Sequence, residues 1–184
     1  MKHVLAGFAA ALLLGAPALG EERVSINGAV PSAEACESAW RGADSPERAA
    51  TVFVAALVTY EFDRETALDC MRRIVDEGYL SANGALSHDF DYLVEVGIAR
   101  SAAIARSYIE GAAPENGYVL PEGPWTVRFE RDARFDLGDG LYRVKVFTSG
   151  QPTTRPVTLR LDAEGHYRIH EASTLFVGVA APAR

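Results

Sequence analysis

The sequence predicts an α+β fold, with N-terminal helices packed on a C-terminal antiparallel sheet of four or five strands joined as a meander. Three observations predict it. Residues 45–97 carry repeated helix start and stop signals around apolar stripes. From Trp125 onward, apolar and polar residues alternate with the period of two that a half-buried strand requires. The turns between those alternating runs are short, as antiparallel neighbours need.

Residues 1–20 read as a secretory signal peptide. Lys2 and His3 give a polar start, Val4 to Leu14 is apolar and uncharged, and Ala18 and Gly20 place small residues at the −3 and −1 positions of a cleavage site. The apolar core is shorter than the roughly 20 residues a membrane span needs. Residues 21–44 read as an N-terminal segment. It has a polar, loosely held lead-in to Pro31, then a short helix capped by Ser32 and stopped by Gly42.

Residues 45–181 form the α+β domain. Ser45 caps a helix with Pro46 at its first position and Glu47 at the positive end of its dipole. That helix, about Glu47 to Tyr60, is apolar nearly all round, which predicts a central, buried position. Asp63 caps the next, about Arg64 to Glu77, with Ala67, Met71, Ile74 and Val75 on one face and Asp69 spaced to pair with Arg73. Ser87 caps a further helix that Gly97 weakens or ends. Ile98 to Ala105 reads as an irregular turn, followed from Arg106 by an alternating, extended pattern.

The β half begins with Trp125, Val127 and Phe129 alternating against Thr126, Arg128 and Glu130. Asp132 to Gly140 reads as a loop. Tyr142, Val144 and Val146 form the next inward face, Val157, Leu159 and Leu161 the third, and Tyr167 and Ile169 the fourth. Leu175 to Val179 reads as a last strand or as a tail packed across the sheet.

The chain has 184 residues and a net charge of −7, or −8 once the leader takes Lys2 with it. An acidic balance argues against nucleic acid and against anionic membrane surfaces. No run after the leader is long and uncharged enough to anchor the chain in a membrane. Cys36 and Cys70 are the two cysteines. Export permits a disulfide between them, and two buried free thiols on separate helices is the alternative reading. Neither lies near a histidine, so neither a cysteine nucleophile nor a zinc site is read.

Candidate chemistry is sparse. His166 and His170 share a strand face but lie roughly 13 Å apart along it, too far to bind one metal. His88 reads as an exposed first-turn residue. Glu110 and Glu115 are the best carboxylate pair, flanking a loop with Gly111 and Pro114. Acid–base hydrolysis would need them to face each other across a cleft. Asn116-Gly117 marks a turn that requires positive φ. Tyr108, Tyr118 and Trp125 surround this loop and either line a groove or pin the loop to the core. The binding candidates are therefore Arg106, Tyr108, Glu110, Glu115, Asn116 and Tyr118. No catalytic residue, metal or cofactor is assigned.

The run Arg106-Ser107-Tyr108-Ile109-Glu110-Gly111-Ala112-Ala113-Pro114-Glu115-Asn116-Gly117-Tyr118 resembles a signature of the form R-S-Y-x-E-G-A-T-P-E-N-x-Y, which belongs to an uncharacterised bacterial domain family. The resemblance extends from Thr51 to the end of the chain and includes Ser149-Gly150 through Arg155-Pro156-Val157-Thr158-Leu159-Arg160. Ala113 stands where the signature has Thr, and further along the chain His170 stands where the resemblance leads one to expect an aromatic. The resemblance implies a shared domain and carries no mechanism.

These observations predict an exported protein, periplasmic or secreted, that binds an unidentified protein or small molecule without catalysis. A hydrolase built on Glu110 and Glu115 and a purely structural envelope accessory are the alternatives.

Overall fold

Four side-chain caps set the helical half. In the computed structural model, which describes residues 20–130 and 135–183, Ser32 Oγ accepts from Ala35 N at 3.2 Å and Ser45 Oγ from Arg48 N at 3.3 Å. Asp63 Oδ1 accepts from Thr66 N at 3.0 Å and Ser87 Oγ from Phe90 N at 3.3 Å. Each satisfies an amide that a helix start leaves without an intrahelical partner. The helices are α1 (Ala33–Arg41), α2 (Pro46–Thr59), α3 (Arg64–Ile74), α4 (His88–Val96) and α5 (Ala102–Arg106). The leader read over residues 1–20 lies outside the described residues apart from Gly20. Among the described residues, no helix is long and apolar enough to cross a membrane.

Among the described residues the sheet has six antiparallel strands: β1 (Glu21–Ile26), β2 (Trp125–Glu130), β3 (Asp136–Gly138), β4 (Leu141–Val146), β5 (Arg155–Leu161) and β6 (Tyr167–Glu171). Their order is β1-β2-β4-β5-β6, with β3 paired to β4. The α+β class is as the sequence predicts. The two extra strands come from segments read otherwise. Glu21–Ile26 is no loose lead-in: it pairs along its whole length with β2, from Glu21 opposite Glu130 to Ile26 opposite Trp125. Asp136–Gly138 lies within the expected loop and pairs with Tyr142 and Leu141.

α2 is the central element. Every residue from Pro46 to Thr59 except Arg48 is buried, and the helix touches β1, β2, β4, β5 and β6. The inward faces of the strands supply Trp125, Val127, Phe129, Val144, Val146, Val157, Leu159 and Ile169. α1 and α3 flank α2 and are joined by the Cys36–Cys70 disulfide, whose Cα atoms are 5.6 Å apart. Within the same core, Phe90 packs edge-to-face against Tyr79, Phe53 and Phe176 at centroid distances of 5.1, 6.5 and 5.8 Å.

Three local expectations need correction. α3 stops at Ile74 rather than Glu77, because Val75 leaves the helix to bridge Ile169 in parallel and Asp76 N–H donates to Ile169 O at 2.8 Å. Asp69 pairs with Arg72 rather than Arg73, whose guanidinium crosses to Glu37 and Glu34 on α1 at 2.6 and 3.2 Å. Ala102–Arg106 is helical, and Ser107, Tyr108 and Ile109 are all buried in succession instead of alternating. The C-terminal tail, not a seventh strand, follows a single 3-10 turn over Ser173–Phe176. It packs beside the 114–118 loop: Ala180 N–H donates to Gly150 O at 3.1 Å and Ala183 N–H to Pro114 O at 2.8 Å.

Candidate functional site

The six residues singled out in the sequence lie between α5 and β2, and they separate into two groups. Four are engaged in holding the chain together. The Arg106 guanidinium meets both oxygens of Glu61, at 2.6 and 2.8 Å, and donates to Tyr118 O at 3.3 Å. This clamps α5 to the end of α2 through a two-pronged, charge-assisted contact. The Tyr108 hydroxyl donates to Leu175 O at 3.0 Å from a buried position. Burial pushes its phenol well above the ordinary tyrosine value, against the lowering pull of Arg155.

Asn116 closes the loop on itself. Its Oδ1 accepts from Ala113 N at 3.0 Å, and its Nδ2 donates to Gly111 O at 2.7 Å. The expected positive-φ turn is present and longer than read: Gly117 has φ 68° and Tyr118 has φ 59°. A left-handed tyrosine is costly for a side chain with a Cβ, and burial of its ring holds it there. The Tyr118 hydroxyl donates to Ala180 O at 2.8 Å. Burial, and then the charge of Glu115, raises its phenol above the usual value. Tyr108, Tyr118 and Trp125 are thus all buried, Tyr108 and Tyr118 pinned through their hydroxyls, and Tyr108 also lines the cavity beside the loop.

Glu110 and Glu115 form the second group, and both are exposed. Glu110 is held at 3.4 Å by Arg23 on β1 and lies 4.0 Å from Arg128 on β2. It forms one wall of a cavity of about 200 Å³ between the Glu110–Ala113 turn, β2 and the segment that follows β4, walled on that side by Arg128, Phe147 and Thr148. Glu115 lies outside that cavity. The two carboxylates therefore do not share the concavity.

The inner polar groups of the cavity are already satisfied. Thr148 Oγ1 donates to Ser107 Oγ at 2.8 Å, Ser107 Oγ to Ile104 O at 2.7 Å, and Ser149 Oγ to Ala112 O at 2.6 Å. Arg128 sits over the Phe147 ring at 5.0 Å, a cation–π contact that aims its charge along the wall. Sequence reasoning did not single out Arg128, Phe147 or Arg23. Arg128 stood out only as one polar member of an alternating strand, and Arg23 belonged to a segment read as a lead-in.

The histidines go to separate tasks. His166 packs on Trp40 at 5.1 Å, His170 Nδ1 meets Asp76 Oδ2 at 2.7 Å, and His88 is exposed. Among the described residues, no group of three or more His, Cys, Asp or Glu is placed to hold a metal ion.

Residues 26–183 match the family described as Domain of unknown function (DUF6935). The chain belongs to this family. The DUF6935 match takes in the 105–125 loop, the cavity beside it and the tail that covers it, while all of β1 before Ile26 lies outside it. No curated protein and no solved structure matches the chain.

Proposed function

We propose that this DUF6935 protein is an exported, non-catalytic binding module of the bacterial envelope, periplasmic or secreted. Its ligand is a small molecule or a protein segment that seats a group in the Glu110–Arg128–Phe147 cavity. The observation that carries this reading is the division of labour around the cavity. Its inner hydroxyls are bonded to one another and to backbone, while the charged pair and an aromatic ring stand at its wall. That combination suits orientation of a ligand better than proton transfer. The layout of residues 1–20 supports export.

The test uses residues 21–184 as the mature chain, screened for thermal shift against a small-molecule library and, in parallel, for crosslinked partners. A hit whose stabilising shift disappears in Arg128→Ala and Phe147→Ala supports the reading. No shift and no partner would overturn it, as would a hit that both variants retain in full.

A second reading is a structural accessory whose motif serves only the fold. It is favoured by Arg106, Tyr108, Asn116 and Tyr118, all of which bond to architecture. Loss of folding on their replacement, with every cavity-wall variant indistinguishable from the parent in the export compartment, would favour it.

A further inference from the structure

A second polar centre lies on the opposite side of the sheet's order, at the β5–β6 edge. Asp76 is 6% exposed. It is fixed there because Val75 bridges Ile169 and the Asp76 amide donates to Ile169 O. Both carboxylate oxygens are occupied. Oδ1 accepts from Glu77 N at 2.7 Å, and Oδ2 meets His170 Nδ1 at 2.7 Å and Arg160 Nε at 3.2 Å. Since both side chains touch one oxygen, they are neighbours.

The His170 and Arg160 side chains are 33% and 42% exposed. Among the described residues, Asp76 is the ionic partner of Arg160, and nothing bonds its terminal Nη groups or His170 Nε2. Arg168, directly opposite Arg160, is differently placed. It donates to Asp162 at 2.9 Å and to Arg73 O at 3.1 Å, and stacks on Trp40 at 4.7 Å. Glu171 accepts from Ser173 N and the Tyr79 hydroxyl through one oxygen, Oε1, and its charge lies near the His170 ring. Arg143 on β4 is paired across with Thr158 and shares the face of Arg160, adding an exposed cation.

We infer that Arg160 and His170, oriented by the buried carboxylate of Asp76, form a binding site for a phosphate group. A guanidinium in ionic contact with a carboxylate on its Nε side retains two Nη groups in a planar fork that matches a tetrahedral oxyanion. With Nδ1 turned to Asp76, His170 Nε2 offers a lone pair when the ring is neutral and a proton when it is charged. Phosphate near neutral pH supplies both acceptor oxygens and, in part, a P–OH donor. A carboxylate supplies acceptors alone. This site is remote in the fold from the Glu110–Arg128 cavity and stands or falls separately from it.

Side-chain ¹⁵N NMR of the histidines in residues 21–184 provides the test, with inorganic phosphate, acetate, and phosphatidylcholine vesicles with or without phosphatidic acid as probes. A saturable shift of His170 Nε2 with phosphate, absent with acetate, is the expected result. Arg160→Gln should weaken phosphate binding by about tenfold or more, the loss of a charge-assisted contact. Arg160→Lys, which keeps the charge without the fork, should fall between and serves if the Gln variant fails to fold. Response to inorganic phosphate alone assigns a free anion. Arg160-dependent co-sedimentation with phosphatidic acid vesicles assigns a lipid headgroup. No saturable shift at His170, an equal shift at His88, or binding indifferent to Arg160 overturns the inference.

Discussion

The hydroxyl of Tyr118 lies so close to the Cα of Gly150 that a β-carbon built on that glycine would overlap it, and would overlap the Val179 side chain as well. The two stretches that carry the family resemblance, one ending at Tyr118 and one starting at Ser149, are therefore in contact. The C-terminal tail closes over both, through Ala180 bonded to Gly150 O and to the Tyr118 hydroxyl. Much of the signature encodes a three-way joint.

Gly150→Ala should cost about 1–3 kcal/mol, the usual range for forcing atoms into a filled space. Tyr118→Phe should cost about 1 kcal/mol for the bond to Ala180 O. In the double variant the removed hydroxyl gives the new methyl some room, so the combined cost should fall short of the two single costs together. Urea denaturation of the four proteins measures this, and strictly additive costs would contradict the joint.

Asn116→Ala removes one acceptor and one donor from the loop at once, at Ala113 N and Gly111 O. A loss of about 1–3 kcal/mol is expected from two neutral hydrogen bonds. A change of only a few tenths would mean that the loop holds its shape without this side chain.

The disulfide closes a loop between positions separated by 34 residues and locks α1 to α3. Replacement of both Cys36 and Cys70 by Ala should cost about 3–4 kcal/mol in the chain-entropy picture. The parent should react with no thiol reagent when unfolded without reductant, since no described cysteine is free. Full thiol reactivity under those conditions would refute the linkage in solution.

Asp162 should shape the acid limb of stability. Burial alone would raise its carboxyl, but the His166 amide at 2.8 Å and the Arg168 guanidinium at 2.9 Å outweigh it and hold it below the ordinary aspartate value. A lowered folded-state pKa contributes stability that is complete above the unfolded value of about 3.9 and is lost as pH falls through the folded value. Asp162→Asn should therefore be less stable than the parent at neutral pH, with the gap closing as pH falls below the ordinary aspartate value of about 3.9. A gap that stays constant over that range would show that the carboxylate's charge is not the cause.

What could be read from the chain was local. Ser32, Ser45, Asp63 and Ser87 each bond an amide three residues on, so their roles were visible in short windows of sequence. The alternation of β2, β4, β5 and β6 was equally visible, because one face of each meets α2. The missed features depend on partners far along the chain. Glu21–Ile26 looks like a polar, loosely held lead-in until β2 pairs with it. Arg73 has an acid four residues before it, yet Glu34 and Glu37 of the neighbouring helix claim it. Asp76 and His170 are 94 residues apart and meet because a helix ends early at Ile74. At the candidate loop the residue types were legible and their assignments were not. Asn116 and Tyr118 bond to backbone, while Arg128, unremarkable in sequence, stands at the wall of the cavity.

The pairing of β1 with β2 also sets a constraint on timing. Glu21 opposes Glu130, so the first strand to emerge must wait for more than half the chain before its partner exists. Contacts so distant in sequence close slowly, because the loop entropy is lost before the contact repays it. Until then neither edge of the strand has a partner strand, and its Glu-Glu-Arg start is the kind of charged segment that keeps such edges from pairing with another molecule. The residues that disguise β1 in the sequence are thus suited to protect it during the wait.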